Sequence, residues 1–418
     1  MSAPAPGSES LLTAVAVITW TEGGKACSAR WRSERGAQPP KRVVLADDTL
    51  AADAAYRLAC EGTALLWRGD FQNARQLLQA LARRVDKPAK PARRKTVQTP
   101  DSDDAGASGA APADAFHRHR QAQAQRARVL GMVLVQLDAG YGMALRRAPD
   151  VRQACTEAWG APEPDAGEAV VSLREVLGLI GAHEWRKKGV EVAALGEPPG
   201  NRIHPHYGVF SPLRGEYVSL VAQMPLPPPG ESPFTAFDIG TGTGVLAAVL
   251  ARRGIDRVVA TDQDPRALAC AKDNLARLKL QATVELLQTD LFPEGRASLV
   301  VCNPPWLPAR PGSPIEGAIY DEGSQMLLGF LKGLAPHLLP GGEGWLILSD
   351  LAEHLGLRPR EQLLGWIEAA GLQMLGRLDI RPLHPKAADA SDPLHAARAA
   401  EVTSLWRLAV RAPGAVPA

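Results

Sequence analysis

Cysteine is scarce in this chain of 418 residues: there are five, Cys27, Cys60, Cys155, Cys270 and Cys302, and no two form a C-x-x-C pair. An odd count without metal-ligand spacing gives no support to a disulfide framework or a zinc knuckle, and fits a reducing, cytoplasmic setting. Charge of one sign is missing as well. Forty-seven Lys and Arg against 45 Asp and Glu leave a formal net charge of +2, too small for the chain as a whole to attract a polyanion. Any nucleic-acid footprint must then come from local clusters. Long apolar runs are also lacking: the stretch 11–20 falls far below the ~20 residues that span a bilayer, and Met1-Ser2-Ala3-Pro4 carries no basic region. No membrane or targeting segment is expected.

What is present is ordinary for a globular protein, with 45% hydrophobic and 22% charged residues, and the length suits two folded units. Between residues 87 and 114 the composition turns to Lys, Pro, Ala, Asp, Ser and Gly without apolar periodicity, the mark of a solvated linker that cannot offset its own ordering entropy. Before it, residues 1–86 read as a small α-rich unit, with a helix over 71–81 from apolar spacings of three and four. After it, 115–200 reads as helical, with helices over 116–148 and 170–188. A mostly α-helical N-terminal domain is the expectation. The basic cluster His117-Arg118-His119-Arg120 with Arg126 and Arg128 fits a solvated face better than an RNA-binding one. His204-Pro205-His206 lacks a third ligand, so no metal is expected.

From Thr235 the pattern changes. Short apolar strands over 235–239, 257–261, 283–288, 298–302 and 345–349 alternate with helical stretches over 244–253, 265–278 and 323–337, which predicts a parallel sheet wrapped by helices. Two β-rich stretches, 372–381 and 402–411, suit a closing hairpin with one strand antiparallel to the rest. Residues 201–418 therefore form the second domain, an α/β unit.

Asp238-Ile239-Gly240-Thr241-Gly242-Thr243-Gly244 follows the first of these strands and opens a helix. Glycines there permit a tight turn, close backbone approach to a ligand and use of the helix N-terminal amides. Gly242-Thr243-Gly244-Val245-Leu246-Ala247 also satisfies the dinucleotide pattern G-x-G-x-x-A, so a dehydrogenase stays open at this point. Asp262, beside Gln263 at the end of the second strand, can accept both ribose hydroxyls of an adenosine. Asp290-Leu291, after the third strand, can receive the adenine amine and cover the ring.

The fourth strand decides between them. Val300-Val301-Cys302-Asn303-Pro304-Pro305-Trp306 puts an Asn at its carboxyl end, where open α/β sheets bind ligands. The Asn303 side-chain oxygen and the Pro304 carbonyl are two acceptors on a loop stiffened by Pro305. Together they can hold an NH2 group by both hydrogens and aim its lone pair, while Trp306 stacks on the planar group that bears it. Nothing in hydride transfer calls for such a loop.

At these residues the sequence resembles the class I S-adenosylmethionine-dependent methyltransferases, specifically the "methyltransferase small" group with the HemK-type glutamine N5-methyltransferases and the ribosomal RNA guanine N2-methyltransferases. The likeness spans roughly 207–411 and rests on Asp238 to Gly244, Ala260-Thr261-Asp262, Thr289-Asp290-Leu291-Phe292 and Asn303 to Trp306. It implies a seven-stranded Rossmann-like sheet and S-adenosyl-L-methionine as cofactor. Gly240, Thr241, Gly242, Thr243 and Gly244, after Asp238, would take its methionine part, Asp262 and Gln263 the ribose, Asp290 and Leu291 the adenine, and Asn303 the substrate nitrogen. HemK-type enzymes usually carry Tyr where this chain has Trp306, which speaks against glutamine. The first reading is thus N-methylation of an exocyclic amine of a ribosomal or transfer RNA base. The alternative is a protein glutamine, and a non-catalytic cofactor- or RNA-binding scaffold comes third. Tyr207 to Glu216 resembles the segment that walls the site in this group.

Overall fold

The computed structural model describes residues 16–87, 112–163, 165, 167–228, 233–312, 314–382 and 389–412. Apart from residues 87 and 112–114, the expected linker lies outside the described residues. Described residues within 1–90 and 125–178 form one compact unit, and those within 91–124 and 179–418 form a second.

The first unit is α/β. Its strands are β1 (Val17–Glu22), β2 (Lys25–Arg32), β3 (Arg42–Ala46), β4 (Thr63–Trp67), β5 (Val133–Leu137) and β6 (Ala169–Ser172), with helices α1 (Ala52–Cys60), α2 (Phe71–Val85) and α4 (Arg152–Trp159), while α3 (Pro112–Leu130) and α5 (Leu173–Lys188) each have residues in both units. The six strands make one sheet in the order β1-β2-β6-β5-β4-β3. This corrects the expectation of a mostly helical N-terminal domain. Val133-Leu134-Val135 and Ala169-Val170-Val171 are buried without alternation, and a short run buried on both faces has no period that tells strand from helix. Each also abuts a helix directly: β5 follows α3 across Gly131, and β6 runs straight into α5. The helix expected over 71–81 is α2, capped by the Asp70 carboxylate, which accepts from the Gln72 amide at 2.8 Å.

In the second unit, a two-stranded pair, β7 (Val190–Glu191) and β8 (Arg202–Ile203), precedes α6 (Glu216–Gln223). The chain then alternates β9 (Thr235–Ile239), α7 (Val245–Arg252), β10 (Arg257–Asp262), α8 (Pro265–Leu278), β11 (Val284–Gln288) and β12 (Ala297–Cys302). It continues through α9 (Gln325–His337), β13 (Leu338–Ser349), α10 (Leu351–His354), α11 (Arg360–Ala369), β14 (Leu372–Ile380), α12 (His395–Ala400) and β15 (Thr403–Val410). The seven-stranded sheet has the order β11-β10-β9-β12-β13-β15-β14. Its first five members are parallel, and β15 runs antiparallel between β13 and β14. This is the Rossmann-like sheet with its reversed closing strand that the sequence implied.

Alternation along the central strands sends side chains to two cores. Ala236, Val258 and Val301 face α6, α7 and α8, which contribute Val218, Val249 and Leu275. Phe237, Val300 and Leu346 face α9 and α11, which contribute Phe330, Leu331 and Ile367. A smaller cluster joins Phe116 of α3 to Leu307, Leu351, Leu355 and Leu394. Among the described residues, no helix is long and apolar enough to cross a membrane.

Candidate functional site

Strand register brings the site together. Ile239 of β9 pairs with Thr261 of β10 and with Cys302 of β12, so Gly240, Asp262 and Asn303 leave three neighbouring strands at one level. The strand order reverses beside β9, which is where a crevice opens in a doubly wound sheet.

Gly240, Gly242 and Gly244 all adopt left-handed φ values, +74°, +55° and +79°, which other residues reach only at a cost. A Cβ on Gly240 would stand 2.5 Å from Met326 Cε, whereas one on Gly242 would meet nothing within 4 Å. The turn is thus packed underneath and open at its crown, as a cradle for a ligand must be. It is held by the Gly240 and Thr241 amides, which donate to the Thr261 carbonyl at 2.9 and 2.8 Å. Asp238 lies beneath it, 1% exposed, and accepts from the Thr241 hydroxyl at 2.6 Å and the Ala247 amide at 3.0 Å. Burial nonetheless dominates and pushes its carboxyl up to about 6.

The two oxygens of Asp262 are fixed separately: one accepts from the Gly242 amide at 3.0 Å, the other from the Asp264 amide at 3.0 Å. Helix α8 is capped by Asp264, whose carboxylate takes the Arg266 amide at 2.8 Å. Asp262 is therefore spare for a ligand, and its remaining lone pairs can accept a pair of hydroxyls. Burial shifts its carboxyl upward. Gln263 is exposed beside it. Leu291 holds φ +63°, an uncommon value for a branched side chain, with its carbonyl accepting from the Thr261 hydroxyl at 2.6 Å. Asp290 before it is exposed.

Within the tetrapeptide Pro304 is buried, while Asn303, Pro305 and Trp306 are half-buried. The Trp306 indole N–H donates to Asn303 Oδ1 at 2.9 Å. Trp306 is thus more than the open stacking surface expected from its sequence: its ring packs on both cores, and the Arg214 guanidinium lies 5.3 Å from its centroid. Arg214 donates to Glu401 at 2.9 Å, and Glu401 accepts the Ser349 hydroxyl at 2.7 Å. The buried Arg358 donates to the Trp306 carbonyl at 3.4 Å. None of Arg214, Ser349, Arg358 and Glu401 carries a sequence signal of this role, because Arg214 and Glu401 are 187 residues apart.

Beyond Trp306 the chain returns through Leu307, which exchanges backbone bonds with Ile319 and Asp321. The Asp321 carboxylate accepts the Met326 and Leu327 amides at the start of α9, the bonds being 3.0 and 3.2 Å. Arg120 lies 4.1 Å from the Tyr320 centroid and donates to the Arg310 carbonyl at 2.8 Å. Of the other basic residues of α3, Arg126 is paired with Asp86 at 2.8 Å and Arg128 with Gln125 at 3.0 Å. His204 Nδ1 lies 2.7 Å from the Arg186 carbonyl and His206 Nε2 lies 3.0 Å from Asp273. Among the described residues no group of three or more His, Cys, Asp or Glu could hold a metal ion.

Residues 200–351, all within the second unit, match the family model of the methyltransferase small domain. A release factor glutamine methyltransferase of Cereibacter sphaeroides is 33% identical over 153 residues, 33% of this chain and 52% of that protein. Another, from Moorella thermoacetica, is 34% identical over 180 residues, 37% of this chain and 62% of that protein. A ribosomal protein L11 methyltransferase of Pelotomaculum thermopropionicum is 48% identical over 71 residues, 16% of this chain and 23% of that protein. The chain thus spans between about a quarter and three fifths of these relatives' lengths.

Proposed function

We propose that this protein methylates a planar NH2 group with S-adenosylmethionine, and that the group is the side-chain amide of a protein glutamine. The observation that carries the reading is the position of Asn303, one residue past the β12 pairing with Ile239 and therefore level with the Gly240 turn and Asp262. The donor set suits the cofactor: an open glycine crown for its amino-acid part, and a carboxylate with spare lone pairs for its ribose. Once bound, S-adenosylmethionine supplies an electrophilic methyl on a sulfonium.

An amide nitrogen is a poor nucleophile, since its lone pair is delocalised into the carbonyl. Asn303 Oδ1 and the Pro304 carbonyl accept its two hydrogens, favour pyramidalisation and point the lone pair at the methyl, so the chain contributes orientation and electrostatics. With a methyl supplied by the bound cofactor, whose sulfur would keep the bonding pair, the nitrogen held by Asn303 and Pro304 would give up one of its two protons to water. No strong base is needed.

Release factor glutamine methyltransferases among the relatives favour the amide over the base amine that the sequence put first. The basic cluster adds nothing to the RNA reading, because Arg120, Arg126 and Arg128 are tied to neighbouring side chains or carbonyls. Mass spectrometry of tryptic peptides and of RNA nucleosides from cells lacking the gene tests the choice: a lost N5-methylglutamine supports it, and a lost methylated base with intact peptides refutes it. Asn303→Ala should leave cofactor affinity nearly unchanged and cut turnover on the order of a hundred- to a thousandfold. Near-normal turnover in that variant would return the tetrapeptide to a plain turn.

A further inference from the structure

We infer that Glu401 and Arg214 are positioning residues for the methyl transfer, acting through Trp306 to hold the Asn303 carboxamide in the one orientation that accepts a substrate N–H. The inference rests on the N-methyltransferase reading above and extends it to residues outside the tetrapeptide.

A side-chain amide has an oxygen on one side and an NH2 on the other, and a half-turn exchanges an acceptor for a donor. Asn303 facing a substrate NH2 with its own NH2 would repel it. The Trp306 indole, at 2.9 Å from Oδ1, is a donor only, so it accepts one orientation of Asn303 and refuses the other. A carbonyl oxygen has two lone pairs; the indole takes one and leaves the second for the substrate. The indole in turn needs a fixed ring. Its inner part packs on the two cores, and the guanidinium of Arg214 lies over it at 5.3 Å, a cation–π contact.

Arg214 sits on the segment before α6 and is itself held by Glu401, 3% exposed, which also takes the Ser349 hydroxyl from the end of β13. Glu216 lies 3.9 Å from the same guanidinium. A buried carboxylate that bonds a guanidinium and a hydroxyl at once has little freedom. Four parts of the chain thereby converge on one amide: the loops before α6 and before β15, the end of β13 and the loop after β12. The ring is not lent to the substrate alone; its N–H is spent on Asn303.

The test uses the full chain with three variants, Trp306→Phe, Arg214→Ala and Glu401→Gln. The methyl acceptor is protein extract from cells lacking the gene, and the methyl source is isotope-labelled S-adenosylmethionine. Trp306→Phe keeps an aromatic ring, though a smaller one, and loses the N–H. Each variant should incorporate methyl groups on the order of ten- to a hundredfold more slowly at saturating cofactor, as expected for a misplaced reacting group, while cofactor affinity by calorimetry stays within about threefold. In Arg214→Ala, millimolar guanidinium ion should restore part of the rate, and it should do nothing for Trp306→Phe. In Arg214→Ala and Glu401→Gln the Trp306 indole N–H signal, assigned by its loss in Trp306→Phe, should exchange with solvent faster than in the wild type. Wild-type rates in Trp306→Phe would overturn the inference, as would slow Arg214→Ala turnover that guanidinium leaves unchanged while indole exchange stays slow. Should Arg214→Ala fail to fold, Arg214→Lys replaces it: restored indole protection and rate support the clamp, and an unprotected indole at full rate overturns it. A wild-type chain that neither binds cofactor nor transfers methyl would defeat the functional reading itself, a result distinct from all of these.

Discussion

Asp238 offers the sharpest test of how the cofactor turn is held. Its carboxylate is buried beneath the glycine loop, and burial lifts it from 3.8 to about 6 in spite of the Thr241 and Ala247 bonds. Below pH ~4 folded and unfolded chains are both protonated here, and the group costs nothing. As pH rises toward 6 the unfolded chain releases its proton while the folded one retains it, so stability falls with rising pH and levels off above the folded value. About two units at roughly 1.4 kcal/mol each make the cost about 3 kcal/mol at neutral pH. Asp238→Asn cannot ionise and keeps an acceptor oxygen for the Thr241 hydroxyl and the Ala247 amide. Its stability relative to the wild type should therefore climb by about 2 to 3 kcal/mol between pH 4 and pH 7. Urea unfolding of both proteins across that range measures it, following the transition that shifts when S-adenosylmethionine is added so that the second unit is the one observed. A difference that stays flat within about 1 kcal/mol would refute the reasoning, and would mean that Asp238 is better solvated than its 1% exposure indicates.

Two further outcomes follow from the geometry. Asp262→Ala should weaken S-adenosylmethionine binding by about 1 to 3 kcal/mol, since it removes the proposed ribose acceptor and frees the Gly242 amide; unchanged calorimetric affinity would remove Asp262 from the site. Phe116→Ala should lower the stability of the second unit by about 3 to 5 kcal/mol, because the ring is 2% exposed against Leu307, Leu351, Leu355 and Leu394. A melting temperature equal to that of the wild type would show that the start of α3 is dispensable to it.

Much of the second unit was legible because its strands are short apolar runs ended by Gly, Asp or Asn. Residues 235–239 are β9 as expected, and the closing pair is β14 with the reversed β15. The first unit was not, since β5 and β6 are continuous apolar runs joined to helices with almost no turn residues between, and periodicity has nothing to distinguish there. In the candidate site, spacing along the chain singled out Asn303, Asp262 and the glycines, each of which stands at the end of its own strand. The bond from Trp306 to Asn303 spans only three residues, yet a tryptophan after two prolines reads as a stacking surface before it reads as a donor. Glu401 was out of reach altogether, because only the folded sheet brings the start of β15 beside Arg214.

The place of β15 also sets a clock. Every other strand of the large sheet pairs with neighbours made before it or soon after, but β13 and β14 are joined solely by a strand synthesised after both. While the chain is emerging, the glycine turn, Asp238 and Asp262 can assemble on β9 and β10 long before residue 410 appears. The sheet beyond β13 must wait, and Glu401 arrives with the strand that completes it. A nascent chain would thus be able to form the glycine turn and its two carboxylates early and yet lack the carboxylate that holds Arg214 until the last strand is made.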